Sequence, residues 1–306
     1  MLSYSKIIKQ SYIVTFKNPV LWLFGLFIAG GFNLNFLHFQ DLNLNIAQAE
    51  VEVYKILFFF QVKPQILALV SLGVLLGTVL SLFLTNWSKI MLVLGAEDFL
   101  DRRPFVFKKK FSESLKVLWP VIKVSLLTSA LMLSAALVLL VPPVFFVESL
   151  KYQSLLWVLG AMIFLPMAFT ISAFNIFGAF FIIEFKLTAG KALDLATDFF
   201  ATSWTKILSL AVILMLIYAG VFAGGVLTIF LVKLALNLIF AWLAGLGIST
   251  FSGMIVLARI ISGVLLWVLV AGLNVFFNTA LLLLFKELVK PKKDSFAAKS
   301  PAPATV

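Results

Sequence analysis

The chain has 306 residues, 62% hydrophobic and 12% charged, with a mean hydropathy of +1.12 and a net charge of +11. A soluble domain carries about 25% charged residues, so water is excluded as the main solvent; the basic excess lies in short loops between apolar runs, which fits membrane topology and anionic lipid and argues against nucleic acid as a partner. The chain has no cysteine and one histidine, His38, which rules out disulfides, thiol catalysis, Cys-ligated metals and imidazole clusters.

A helix needs about 20 apolar residues to cross about 30 Å of hydrocarbon. Six stretches qualify, at about 20–37, 65–86, 117–141, 155–183, 207–231 and 255–285. The expected fold is therefore all-α: a polytopic transmembrane bundle of six spans over residues 1–290, with amphipathic interfacial helices. Lys6, Lys9 and Lys17 precede the first apolar run as in a signal peptide, but no small-x-small cleavage site follows, so the run is read as a retained span. Asn33 and Asn35 interrupt its end. Ile46, Ala49, Val53, Ile56 and Phe60 then recur at helical steps opposite Glu50, Glu52 and Lys55, the pattern of a helix lying in the outer interface. Pro64 opens the second span.

Gly73 and Gly77 form a GxxxG pair in that span, and Gly220 and Gly224 form another in the fifth. Such faces permit close helix approach, here read chiefly as packing within the chain and otherwise as a route to homo- or hetero-oligomers. The segment Glu97 to Arg103 reads as a solvated, salt-bridged turn. Pro142 and Pro143 close the third span, and Pro166 is expected to kink the fourth or to mark a break lining a cavity. Gly224 and Gly225 are expected to bend the chain, so that Leu231–Ile248 lies in the outer interface or re-enters the bundle; Lys233 and Asn237 share one face of that stretch. A seventh span there would reverse the basic tail. Residues 291–306, rich in Lys, Ala, Ser and Pro, read as a disordered cytoplasmic tail.

Charge sets the expected orientation. With six spans and the N-terminus inside, 19 Lys and Arg face the cytoplasm, and five (Lys55, Lys63, Lys151, Lys233 and Arg259) face outward. Lys and Arg bias of this kind orients membrane proteins, so both termini are expected in the cytoplasm, with the chain in the cytoplasmic (inner) membrane. Within the basic set, Arg102, Arg103, Lys108, Lys109 and Lys110 are the expected contacts to anionic lipid, at about 1 kcal/mol per residue close to the surface.

Three hairpins, each entered from the cytoplasmic side, give an expected internal repeat. A basic, amphipathic stretch precedes each odd span, around Lys6–Trp22, Lys108–Pro120 and Lys191–Lys206. Each even span carries an asparagine, Asn86, Asn175 or Asn274, and runs on toward a glutamate, Glu97, Glu184 or Glu287. An amide exposed to acyl chains lacks hydrogen-bond partners, so the three asparagines, with Asn278 four residues beyond Asn274, are the expected interior polar patch. They either bond between helices or contact a solute or lipid head group. No acidic residue sits mid-membrane, which weighs against ion-coupled transport. No HExxH helix, P-loop or GxGxxG turn is present, and no serine in a span has a histidine partner, so neither an enzyme nor a cofactor is expected.

The opening Phe16-Lys17-Asn18-Pro19, followed by Leu21-Trp22-Leu23-Phe24-Gly25, and the Lys191-Ala192-Leu193 stretch after Glu184 resemble uncharacterised six-span bacterial membrane families. Among them is the membrane domain attached to some glycerophosphodiester phosphodiesterases, whose catalytic domain this sequence lacks. The resemblance implies a bacterial cytoplasmic membrane and carries over no catalytic residue. Two functions are expected from these features. One is a permease-like or lipid-handling protein with a weakly polar interior. The alternative is a non-transporting scaffold or assembly factor with a basic cytoplasmic face. They differ in whether the three asparagines line a continuous cavity or bond to one another.

Overall fold

The computed structural model describes residues 3–28, 64–142, 150–245 and 251–290. Every element among them is a helix: α1 (Tyr4–Lys17), α2 (Val20–Ile28), α3 (Pro64–Leu100), α4 (Phe107–Leu140), α5 (Leu150–Phe185), α6 (Ala189–Gly245) and α7 (Phe251–Val289). Five are long and apolar enough to cross a membrane, or six if α1 and α2, which meet at 107°, count as one broken span. The turn between those two falls at Asn18-Pro19, where proline disfavours helical geometry in the residue before it. The all-α bundle read from hydropathy is thus the observed fold. The outer amphipathic stretch Ile46–Phe60, His38 and the tail 291–306 lie outside the described residues.

The outward faces explain why the chain needs lipid. Leu69 on α3, Val138 on α4, Leu165 on α5 and Met215 on α6 are 66–73% exposed, in long rows of similar residues. Water would penalise so continuous an apolar surface, whereas acyl chains solvate it at no cost, and a helix satisfies its own backbone there.

The chain divides into two compact units, the first made of Met1–Leu21, Asn86–Leu216 and Val275–Val306, the second of Trp22–Thr85 and Ile217–Asn274. The first unit is built on phenylalanines. Phe285 of α7 lies 4.9 Å from Phe181 of α5, 5.6 Å from Phe180 of α5 and 5.6 Å from Phe199 of α6, ring centroid to centroid. Tilted and edge-on pairs at these distances each add about 0.5–1.5 kcal/mol beyond area burial, so this cluster locks three helices together. In the second unit, Thr85 donates to the Phe27 carbonyl at 3.3 Å, and a Cβ on Gly272 would meet the Trp22 ring at 3.1 Å.

Four expectations change. The basic stretches before the third and fifth spans are not separate surface helices: α4 runs unbroken from Phe107 and α6 from Ala189. Nothing between Phe107 and Val117 breaks the helical hydrogen bonding, unlike Asn18-Pro19. Gly224 and Gly225 do not break α6, which continues to Gly245. Glycine permits a break without imposing one, and at 1.5 Å per residue the helical path is about 85 Å, far more than a hydrocarbon core needs. Pro166 marks no break, since α5 runs on through it from Leu150 to Phe185. Finally, Gly73, Gly77, Gly220 and Gly224 serve no packing within the described chain, since a Cβ added to any of them would meet nothing within 4 Å. The close approaches occur elsewhere, as at Gly160, whose Cβ would stand 2.5 Å from the Leu139 carbonyl oxygen.

Candidate functional site

The polar groups of the first unit occupy two levels. The inner level stitches α3, α4 and α5. Ser125 Oγ of α4 lies 2.6 Å from Oδ1 of Asn86 on α3 and 3.2 Å from Oδ1 of Asn175 on α5. A hydroxyl has one proton, which the shorter contact takes; turning the Asn175 amide end for end lets its NH2 donate to the same oxygen. Asn86 is 1% exposed and Ser125 4%. Trp87, next along α3, donates from Nε1 to Ser114 Oγ of α4 at 3.0 Å, adding a second stitch between that pair. Asn274 belongs to the second unit, where its Nδ2 donates to the Gly25 carbonyl at 3.3 Å. Asn278 is half-buried. Asn86 and Asn175 therefore share a bridging serine. Sequence reasoning omitted Ser125, because a serine in an apolar run usually bonds to its own helix, as Thr128 does to the Val124 carbonyl at 2.9 Å.

Beside this bridge, Thr128, Ser129, Ser172 and Asn175 line a groove of about 340 Å³ between α4 and α5.

The outer level is charged, at the ends of α3, α5 and α7 and the start of α4. Phe285 is drawn into the aromatic core. The next residue, Lys286, is therefore rotated out of it, and its Nζ lies 2.9 Å from Oε1 of Glu97. The Glu184 carboxyl adjoins Glu97. Of the three glutamates expected to correspond, two meet. Glu287 is exposed, and Lys286 takes its place, since one residue along a helix is a rotation of about 100°. Lys110 Nζ lies 3.1 Å from Asp98 Oδ1 and 3.2 Å from Glu113 Oε2. The turn expected to be solvated is thus half buried: Asp98 is 4% exposed, and only Asp101 and Arg103 form an exposed pair. The hydrogen bond to Asp101 holds the Arg103 guanidinium above its ordinary range.

These side chains surround a cleft of about 820 Å³ with an apolar floor that includes Leu94, Val117, Ile182 and Leu187. Five basic and four acidic side chains line it. Of the basic residues expected at lipid, Lys109 and Arg103 line this cleft, and Arg102 lines a second one of about 700 Å³ against Gln10 and Lys17 of α1. Lys108 lines neither and is exposed. Lys110 is buried between two carboxylates, so it is a structural ion pair and not a free lipid contact. Two residues the sequence did not single out, Lys116 and Lys186, complete the rim. Lys116 was legible in principle: Lys109, Glu113, Lys116 and Pro120 fall on one helical face. Lys186 had no such signal.

Among the described residues no group of His, Cys, Asp and Glu could hold a metal ion. No protein family, curated protein or solved structure matches the chain.

Proposed function

We propose that this chain is a non-transporting scaffold of the cytoplasmic membrane, with both termini and the charged cleft on the cytoplasmic side. The observation that carries this reading is the Asn86–Ser125–Asn175 bridge. Amides that bond through a serine across three helices stiffen the bundle and spend their polar groups on one another's helices, as a scaffold requires. The orientation is supported by the division of basic residues, 19 against five.

A lipid-handling activity is the second reading. It is favoured by the groove between α4 and α5, whose wall carries Thr128, Ser129, Ser172 and Asn175 in an otherwise apolar setting. Reconstitution into vesicles distinguishes the two. The scaffold reading expects head-group-labelled lipid to stay in its leaflet and an entrapped dye to stay inside, as in protein-free vesicles. Lipid exchange that exceeds the protein-free rate and is lost in Asn175→Leu would overturn it in favour of the second reading. Reporter fusions after Lys293 and near Tyr152 test orientation. Activity of a periplasm-dependent reporter after Lys293 would refute cytoplasmic termini.

A further inference from the structure

We propose that the charged cleft of the first unit is a binding site for the phosphate head group of an anionic phospholipid, with Lys109, Lys116 and Lys186 as its cationic contacts. This rests on the reading that places the cleft at the cytoplasmic leaflet.

Most charges around the cleft are already neutralised. Glu97, with Glu184 hydrogen-bonded beside it, is paired with Lys286; Asp98 and Glu113 share Lys110; Arg103 holds Asp101. Lys109, Lys116 and Lys186 line the same cleft, are exposed, and have no acidic partner among the described residues. Three ammonium groups around one concavity favour an anion with several acceptor sites, and a phosphodiester, though singly charged, offers two unesterified oxygens to several donors at once. The open apolar lining decides the rest of the ligand. The floor residues are already buried, but Val106, 50% exposed, and Pro104 stand open in the same cleft, so a free ion would leave them in water, whereas a glycerol backbone and the first methylenes of acyl chains would cover them. The level is also right. Trp119, one residue from the lining Pro120, is exposed, and Lys123 Nζ lies 5.6 Å from its ring centroid. An exposed tryptophan beside an extended lysine is the arrangement found where hydrocarbon meets head groups.

Lys186 supplies an independent observation. It follows the last residue of α5 with φ of 55°, and its N–H still bonds to the Ile182 carbonyl at 2.9 Å. That left-handed position after a helix is one where glycine is the usual occupant, because a Cβ is strained there. Here it carries a lysine that lines the cleft. Backbone strain kept at a residue facing a charged concavity is a mark of function. A role in complementing the α5 dipole alone would give the lysine a different consequence, and the two are separable.

The experiment uses the full chain in neutral detergent with phosphatidylglycerol as the probe. Retained lipid is read by native mass spectrometry in 0.3 M salt, where long-range attraction is largely screened. Each cleft lysine should contribute about fivefold in affinity, the equivalent of ~1 kcal/mol. Lys116→Gln and Lys186→Gly are each expected to weaken binding about fivefold and the double variant about 25-fold. Lys108→Gln, outside the cleft, should stay within about twofold. Lys186→Gly should not lower the thermal midpoint, which separates lost binding from lost folding. Lys186→Asn, neutral and tolerant of the same backbone, provides a second variant. The proposal is overturned if Lys108→Gln weakens binding as much as Lys186→Gly, or if the double variant binds like the parent. It is overturned equally if inorganic phosphate or an acidic peptide binds while phosphatidylglycerol does not. Lipid exchange in vesicles would remove the scaffold reading and leave this site standing; parental binding by the double variant would do the reverse.

Discussion

Ser125→Ala removes one oxygen from between two amides. The substitution leaves volume nearly unchanged and raises helix propensity by about 0.5 kcal/mol, which works against any loss, so a net cost reports the bridge. Ser125 is 4% exposed and Asn86 1%, and the hydroxyl contacts both asparagines, at 2.6 Å and 3.2 Å. A hydrogen bond between membrane helices contributes about 0.6 kcal/mol on average and up to about 1.7. The shorter contact belongs near the upper end of that range. The longer one, to a half-buried residue, belongs near the lower end, so the expected loss is about 1.5–2 kcal/mol. Asn86 has further interactions that survive the change, which keeps the loss below that of an orphaned buried amide. The assay is reversible unfolding in mixed micelles, followed by the fluorescence of tryptophans such as Trp87. Thr128→Val is the control. Its hydroxyl bonds within α4, so that change should cost less than about 0.5 kcal/mol. A cycle of Ser125→Ala with Asn86→Leu should give a coupling of about 1 kcal/mol. A cost of Ser125→Ala no greater than that of Thr128→Val, or a cycle without coupling, would refute the bridge.

Three further outcomes follow from the same geometry. Lys186→Gly and Arg102→Gly, both at φ of 55°, should each raise unfolding stability by about 1 kcal/mol, and a fall at both positions would refute backbone strain there. Lys286→Met leaves Glu97 beside Glu184 without its cation and should lower stability by about 1–3 kcal/mol in denaturant titration; adding Glu97→Gln should restore most of it. Gly160→Ala drives a Cβ against the Leu139 carbonyl oxygen and should destabilise by about 1–3 kcal/mol, whereas Gly73→Ala meets nothing and should raise helix stability by up to about 1 kcal/mol. Equal effects of the two glycine changes in thermal melts would contradict the packing described.

Membrane class and the spans from Pro64 to Val289 were legible because they depend on sums along the chain. Hydropathy over about 20 residues decides whether a segment prefers lipid, and a helix satisfies its own backbone wherever it sits. The long α6 was not legible: two adjacent glycines looked like a bend, but they only lower the cost of bending. The GxxxG pairs misled in the same way, since small residues permit close approach whether or not a partner comes.

What the sequence by itself determined, then, is the solvent of this protein, its helical class and the basic character of its loops. Only the tertiary structure decided which polar groups meet. That depends on rotation about each helix, where one residue is a turn of about 100°, and apolar runs with little amphipathic pattern do not reveal it. So Ser125 joins two asparagines, Lys286 and not Glu287 meets Glu97, and Lys110 is buried between carboxylates while its neighbour Lys109 faces the cleft. The left-handed backbone at Lys186, which sets one wall of that cleft, comes from how α5 hands the chain to α6, and a lysine after a phenylalanine gives no local sign of it.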